Sequence, residues 1–206
     1  MAAAAFSQPL FGGTPAFPWW NDAESIEQPD VSTATTMPLN GGQSPNGKFI
    51  IQVIGNDPMD YGYAFGFFKS NGISLLSQVT FDSGFCVLKG ASEIDRALWN
   101  SDNTLVAIED HDTRHSMALH LVAFKNGKAQ KIIMPSFGRA MGLKTANIHG
   151  GAEGACGCDP LIWKGTMLTF RFYAGPYVSN VKVKVALSGR PHATLVSETS
   201  PAQIEN

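Results

Sequence analysis

Along the chain, short apolar runs alternate with turn-forming residues, and the run from Leu98 to Pro135 shows the pattern most plainly. Thr104–Glu109 and Met117–Phe124 are short and rich in β-branched or bulky side chains, which disfavours helix, and Asn126-Gly127 is a strong hairpin signal ahead of Ala129–Met134. With a strand running into Trp99 and a tight turn at Ser101-Asp102-Asn103, the stretch predicts a four-stranded antiparallel meander.

The same phrase occurs twice more. Ser44-Pro45-Asn46-Gly47 leads into Phe49–Ile54, then Tyr63–Phe68, a turn at Asn71-Gly72 and Ile73–Thr80. Leu161–Gly165 leads into Met167–Tyr173, then Val181–Leu187, a turn at Ser188-Gly189 and His192–Val196. Gly47 to Gly72, Asn103 to Gly127 and Gly165 to Gly189 are 25, 24 and 24 residues apart, so one unit is repeated at one spacing. Phe49–Ile54 and Tyr63–Phe68 are apolar at successive positions, which places these strands between two layers.

Ser-Pro-Asn-Gly-Lys-Phe (44–49) and Trp-Asn-Ser-Asp-Asn-Thr-Leu (99–105) resemble the first hairpin of a β-propeller blade, over residues 44–196. The resemblance implies an all-β fold of three antiparallel four-stranded meander sheets arranged like an incomplete β-propeller, the first copy without a readable innermost strand. The predicted organisation is a Pro- and aromatic-rich wrapping segment (1–43), one β domain (44–196, repeats 44–80, 98–134 and 161–196, with a Gly/Cys-rich insertion at 135–160) and a polar tail (197–206). In the first segment Phe11, Phe17, Trp19 and Trp20 argue for covering an open sheet edge, because disordered tails are poor in aromatics. Three blades leave open edges, through which self-association could also occur.

Charge narrows the function. Only 16% of residues are charged and the formal net charge is −2, so no overall basic field exists to draw nucleic acid or an anionic membrane. No apolar run reaches the roughly 20 residues of a bilayer span. The start, Met1 to Phe6, lacks the basic and apolar regions of a signal peptide and resembles the small-residue end of a cleavage site, which predicts a periplasmic or secreted protein. In that setting Cys86 would pair with Cys156 or Cys158; free thiols and metal ligation are the alternatives.

In a meander, reversals alternate between the two ends of a sheet. The tight turns at Asn46-Gly47, Asn126-Gly127 and Ser188-Gly189 fall at one end, and the longer loops 55–62, 109–116 and 174–180, with the links 81–94 and 135–160, fall at the other. That end gathers the candidate partner-binding residues Asp57, Tyr61, Asp110, His111, Arg114, His115, Arg139, Met141 and Tyr177. Catalytic patterns are missing from the sequence: no Gly-x-Ser-x-Gly elbow, no His-Glu-x-x-His, no phosphate-binding glycine motif, and no cofactor is predicted. His120, inside a strand, reads as a core or sheet-face residue. The expectation is a protein-binding module, similar at fold level to periplasmic immunity proteins that block a secreted cell-wall-degrading enzyme. The alternative is a metal-assisted hydrolase using the Asp/His loop at 109–116, where carboxylate and imidazole could share an ion.

Overall fold

The computed structural model describes residues 34–55, 63–81, 96–113, 116–138, 156–174, 177–200 and 202–203. Among them the regular elements are all strands: β1 (Thr35–Gln43), β2 (Phe49–Gly55), β3 (Tyr63–Lys69), β4 (Leu75–Val79), β5 (Arg96–Trp99), β6 (Leu105–Thr113), β7 (Ser116–Lys125), β8 (Lys128–Lys131), β9 (Cys156–Lys164), β10 (Met167–Ala174), β11 (Tyr177–Ala186), β12 (His192–Glu198) and β13 (Ala202–Gln203). No helix among the described residues is long and apolar enough to cross a membrane.

Three antiparallel runs do follow one another, β1–β4, β5–β8 and β9–β12. They do not make three propeller-like sheets. β1 pairs in parallel with β5 at Asn40 and Arg96, and β4 approaches β8, where the Ala129 amide donates to Ser77 Oγ at 3.0 Å. The first two runs thus form one eight-stranded, nearly closed barrel-like sheet, and the third forms a four-stranded sheet. The physical reason is edge economy: joining two meanders end to end covers edges that separate blades would leave unpaired.

β6 and β7 are the wall shared by two cores. Val106, Ile108, Val122 and Phe124 face into the barrel with Ile51, Val53, Phe65, Phe67 and Trp99. Leu105, Ala107, Leu119 and Leu121 face the other way, against Leu168, Phe170, Phe172, Val181, Val183 and Phe137. Period-two alternation explains the split: each strand sends successive side chains to opposite sides, and here both sides are dry. Aromatic rings fix the packing in both layers, with Phe67 stacked on Phe124 at 4.9 Å and Phe137 edge-on to Phe170 and Phe172 at 5.2 and 5.1 Å.

Strand extents differ from the sequence pattern in three places. Residues 35–43, expected in the irregular first segment, form β1, which tolerates Pro38 because the ladder with β2 shifts register between Pro38 and Gln43. Its neighbour Gly41 has φ +67°, and a Cβ there would lie 2.4 Å from the Ala97 carbonyl oxygen, so only glycine lets β1 come against β5. β9 begins at Cys156, inside the expected insertion, and Phe137 from the same insertion is a core residue of the interlayer space. Polar composition at 109–116 and 174–180 predicts loops, yet β6 runs to Thr113, β7 starts at Ser116 and β11 starts at Tyr177. Ladder hydrogen bonds, which are indifferent to side-chain polarity, carry these hairpins outward.

The tight-turn end is braced by side chains. Asn103 (φ 57°) uses its Oδ1 to accept the Asn46 amide of the first turn at 3.0 Å. Wholly buried Asn100 accepts the Thr104 and Leu105 amides, each at 2.9 Å, and donates to the Gly165 carbonyl at 3.5 Å. Turns from all three runs are therefore tied together at one end.

Candidate functional site

Toward the opposite end lie two groups of interacting ionisable side chains. Asp110, at the outer part of β6, faces into the barrel and is wholly buried. His120 on β7 stands one ladder step diagonally across, since Ile108 is its direct partner, and its Nε2 lies 2.9 Å from Asp110 Oδ2. Phe81, beyond the end of β4, lies flat on the imidazole with ring centroids 3.8 Å apart and 13° between planes. Lys131 Nζ sits 5.1 Å from the centre of the Phe81 ring. Exposed Lys131 and buried His120 thus both pack on the Phe81 ring, and at the Asp110–His120 contact low local polarity strengthens the electrostatic attraction.

A second charged group lies outside the barrel wall. Arg96 on β5 forms ion pairs with Glu109 on β6 and Asp159 on β9, and its Nη2 donates to the Pro160 carbonyl at 3.4 Å. Arg171 on β10 reaches Asp159 Oδ2 at 3.9 Å. Glu109 is nearly buried, whereas Arg96 and Arg171 keep 41% and 49% of their side chains exposed, so this chain of charges joins the barrel to the four-stranded sheet at the solvent boundary. Trp163 Nε1, donating to the Leu98 carbonyl at 2.8 Å, makes a third link between β9 and β5.

Of the sequence-predicted partner-binding residues, Asp110 and Tyr177 are at this end. Asp110 is turned inward to His120 rather than outward, while Tyr177, the first residue of β11, is 47% exposed. His111 belongs to β6. Asp57, Tyr61, Arg114, His115, Arg139 and Met141 lie outside the described residues. Cys156 opens β9, Cys158 is buried in the interlayer core, and Cys86 lies outside the described residues.

The sequence pattern missed Arg96, Asp159, Arg171, Phe81 and Lys131. Asp159 falls within the Gly/Cys-rich stretch 135–160, and Arg171 within the run Met167–Tyr173. The signal that could have found Arg96, Asp159 and Arg171 is a charged residue at the same end of each of β5, β6, β9 and β10. No family model, curated protein or solved structure matches this chain.

Proposed function

We propose that this protein is a protein-binding module, a periplasmic or secreted inhibitor or immunity protein whose long-loop end blocks a partner enzyme. One observation carries the reading: the two ends of the fold are built for different tasks. The turn end is locked by the Asn46–Asn103 and Asn100–Gly165 hydrogen bonds. The other end presents exposed Tyr177 and half-exposed Arg96 and Arg171, and the barrel carries the buried Asp110–His120 pair with part-buried Phe81 stacked on the imidazole. Tyrosine and arginine on a stiff base are the side chains that anchor protein interfaces, because little entropy is lost when they are covered. The hydrolase alternative draws on the Asp/His loop at 109–116, of which Asp110 is buried with its Oδ2 2.9 Å from His120 Nε2.

The test begins with capture from a periplasmic or secreted extract on the immobilised full chain, followed by titration calorimetry with the purified captured protein. Tyr177→Ala is expected to weaken binding by roughly 30-fold, the size of a hot-spot loss of about 2 kcal/mol, without lowering the melting temperature. Asn126→Gly, which keeps the left-handed turn (φ 52°), is expected to leave binding intact. Loss of affinity in the turn variant alone would refute the assignment of ends.

A further inference from the structure

We propose that the outer face of the four-stranded sheet is a docking surface for an acidic protein, distinct from the long-loop end. Alternation writes this face. Leu168, Phe170 and Phe172 of β10 and Val181, Val183 and Val185 of β11 point into the interlayer core, so the residues between them point outward. Toward the tight-turn end, the ladder sets outward residues in two rows across the sheet. Lys164, Met167, Lys184 and Thr194 make one row, and Ile162, Thr169, Lys182 and Ser197 make the next.

Lys164, Lys182 and Lys184 are exposed, as is Ile162 at 48%. Strands are about 4.8 Å apart and alternate residues on a strand about 6.8 Å apart, so the three ammonium groups are rooted within roughly 10–12 Å of one another. That is comparable to the screening length of about 8 Å at physiological salt, so their fields overlap. Among the described residues, the acid in register with this face is Asp159, opposite Arg171, and it is engaged by Arg96 and Arg171. A chain of net charge −2 thus carries a concentrated positive surface on one sheet.

The uncharged positions decide what kind of anion fits. Sequence-tolerant nucleic-acid binding rests on successive aromatic platforms for the bases. Here the positions between and beside the lysines are Met167, Thr169 and Ile162, and among the described residues of β10 the outward ring is the single Tyr173, two rows farther on, so there is no succession of platforms. Apolar Met167 and Ile162 beside the cations give the anatomy of a protein interface, and its complement is an apolar patch edged by carboxylates. The lysines and Ile162 that carry this inference are separate from Tyr177, Arg96 and Arg171 of the long-loop end, so either surface can fail without the other.

The experiment measures binding of the full chain to four fluorescent probes at low and high salt: poly-glutamate, a glutamate–leucine copolymer, dextran sulfate and an oligo-dT strand. The copolymer is expected to bind most tightly. The pair Lys182→Glu and Lys184→Glu should weaken it by about tenfold or more, an effect that shrinks at high salt. Ile162→Ser should remove the copolymer's advantage over poly-glutamate. Charge reversal at Lys125 and Lys128, exposed on the β7–β8 hairpin, should change little. Melting temperatures monitor folding, and Lys182→Gln with Lys184→Gln replaces the reversal pair should that pair unfold. Absence of copolymer binding, an equal loss in the Lys125/Lys128 control, or equally tight binding of oligo-dT or dextran sulfate would each overturn the proposal.

Discussion

Replacing His120 by phenylalanine tests how far the buried Asp110–His120 pair holds the barrel together. Phenylalanine fits the ring site against Phe81, so packing is largely kept while the contact at 2.9 Å to the Asp110 carboxylate is lost. Removing one member of a buried charged or polar pair costs about 3–5 kcal/mol, because the other stays desolvated without that partner. Asp110→Asn keeps the shape and an amide that can still bond, and should cost less, about 1–3 kcal/mol. For a chain of this size each kcal/mol is worth roughly 2–4 °C, so His120→Phe should lower the melting temperature by about 6–20 °C. Urea unfolding of both single variants and the double variant gives the coupling directly, with about 0.5–3 kcal/mol expected for residues in contact. A His120→Phe protein that unfolds at the wild-type urea concentration, or single-variant costs that simply add, would refute the reasoning.

Other expected outcomes follow from single observations. Phe137→Ala empties a wholly buried ring site between Phe170 and Phe172 and should cost about 3–5 kcal/mol in urea unfolding. Gly41→Ala should destabilise clearly more than Gly189→Ala: both have positive φ, but a Cβ at Gly41 meets the Ala97 carbonyl whereas one at Gly189 meets nothing within 4 Å. The difference in their unfolding midpoints isolates the close approach of β1 to β5. Trp163→Phe removes the bond to the Leu98 carbonyl and should cost about 1 kcal/mol by the same measurement. In native protein Cys158, 1% exposed, should react with a thiol reagent no faster than the fold opens, as kinetics with and without denaturant will show.

The strands were legible wherever the hydrophobic pattern and turn chemistry agreed. Asn103, Asn126, Gly72, Gly165 and Gly189 take positive φ at predicted turns, and the runs they separate are strands. What was not legible was how the meanders join. The contact of Asn40 with Arg96 depends on a glycine that lets two backbones approach, and nothing in local propensity marks such a meeting. The same limit explains the site. Asp110 sits in a polar stretch that reads as a solvated loop, and only the ladder, by extending to Thr113, turns its carboxylate inward to His120. The charge chain through Arg96, Glu109, Asp159 and Arg171 draws on four strands and has no sequence spacing at all.

The double-sided wall has a cost in information. A strand with one wet face is pinned in phase, because a slip of one residue would drown its apolar side chains and bury its polar ones. β6 and β7 lack that protection in their inner stretches, since Leu105 to Ile108 and Leu119, Leu121 and Val122 are all apolar and all buried. With β6 slid by one position against β7, the wall would still look greasy from both sides. Asp110 and His120 break this degeneracy: in a shifted ladder the carboxylate and imidazole would sit on opposite sides of the wall, each among hydrocarbon. The pair thus works as a key cut into an otherwise smooth lock, rejecting wrong alignments as much as stabilising the right one.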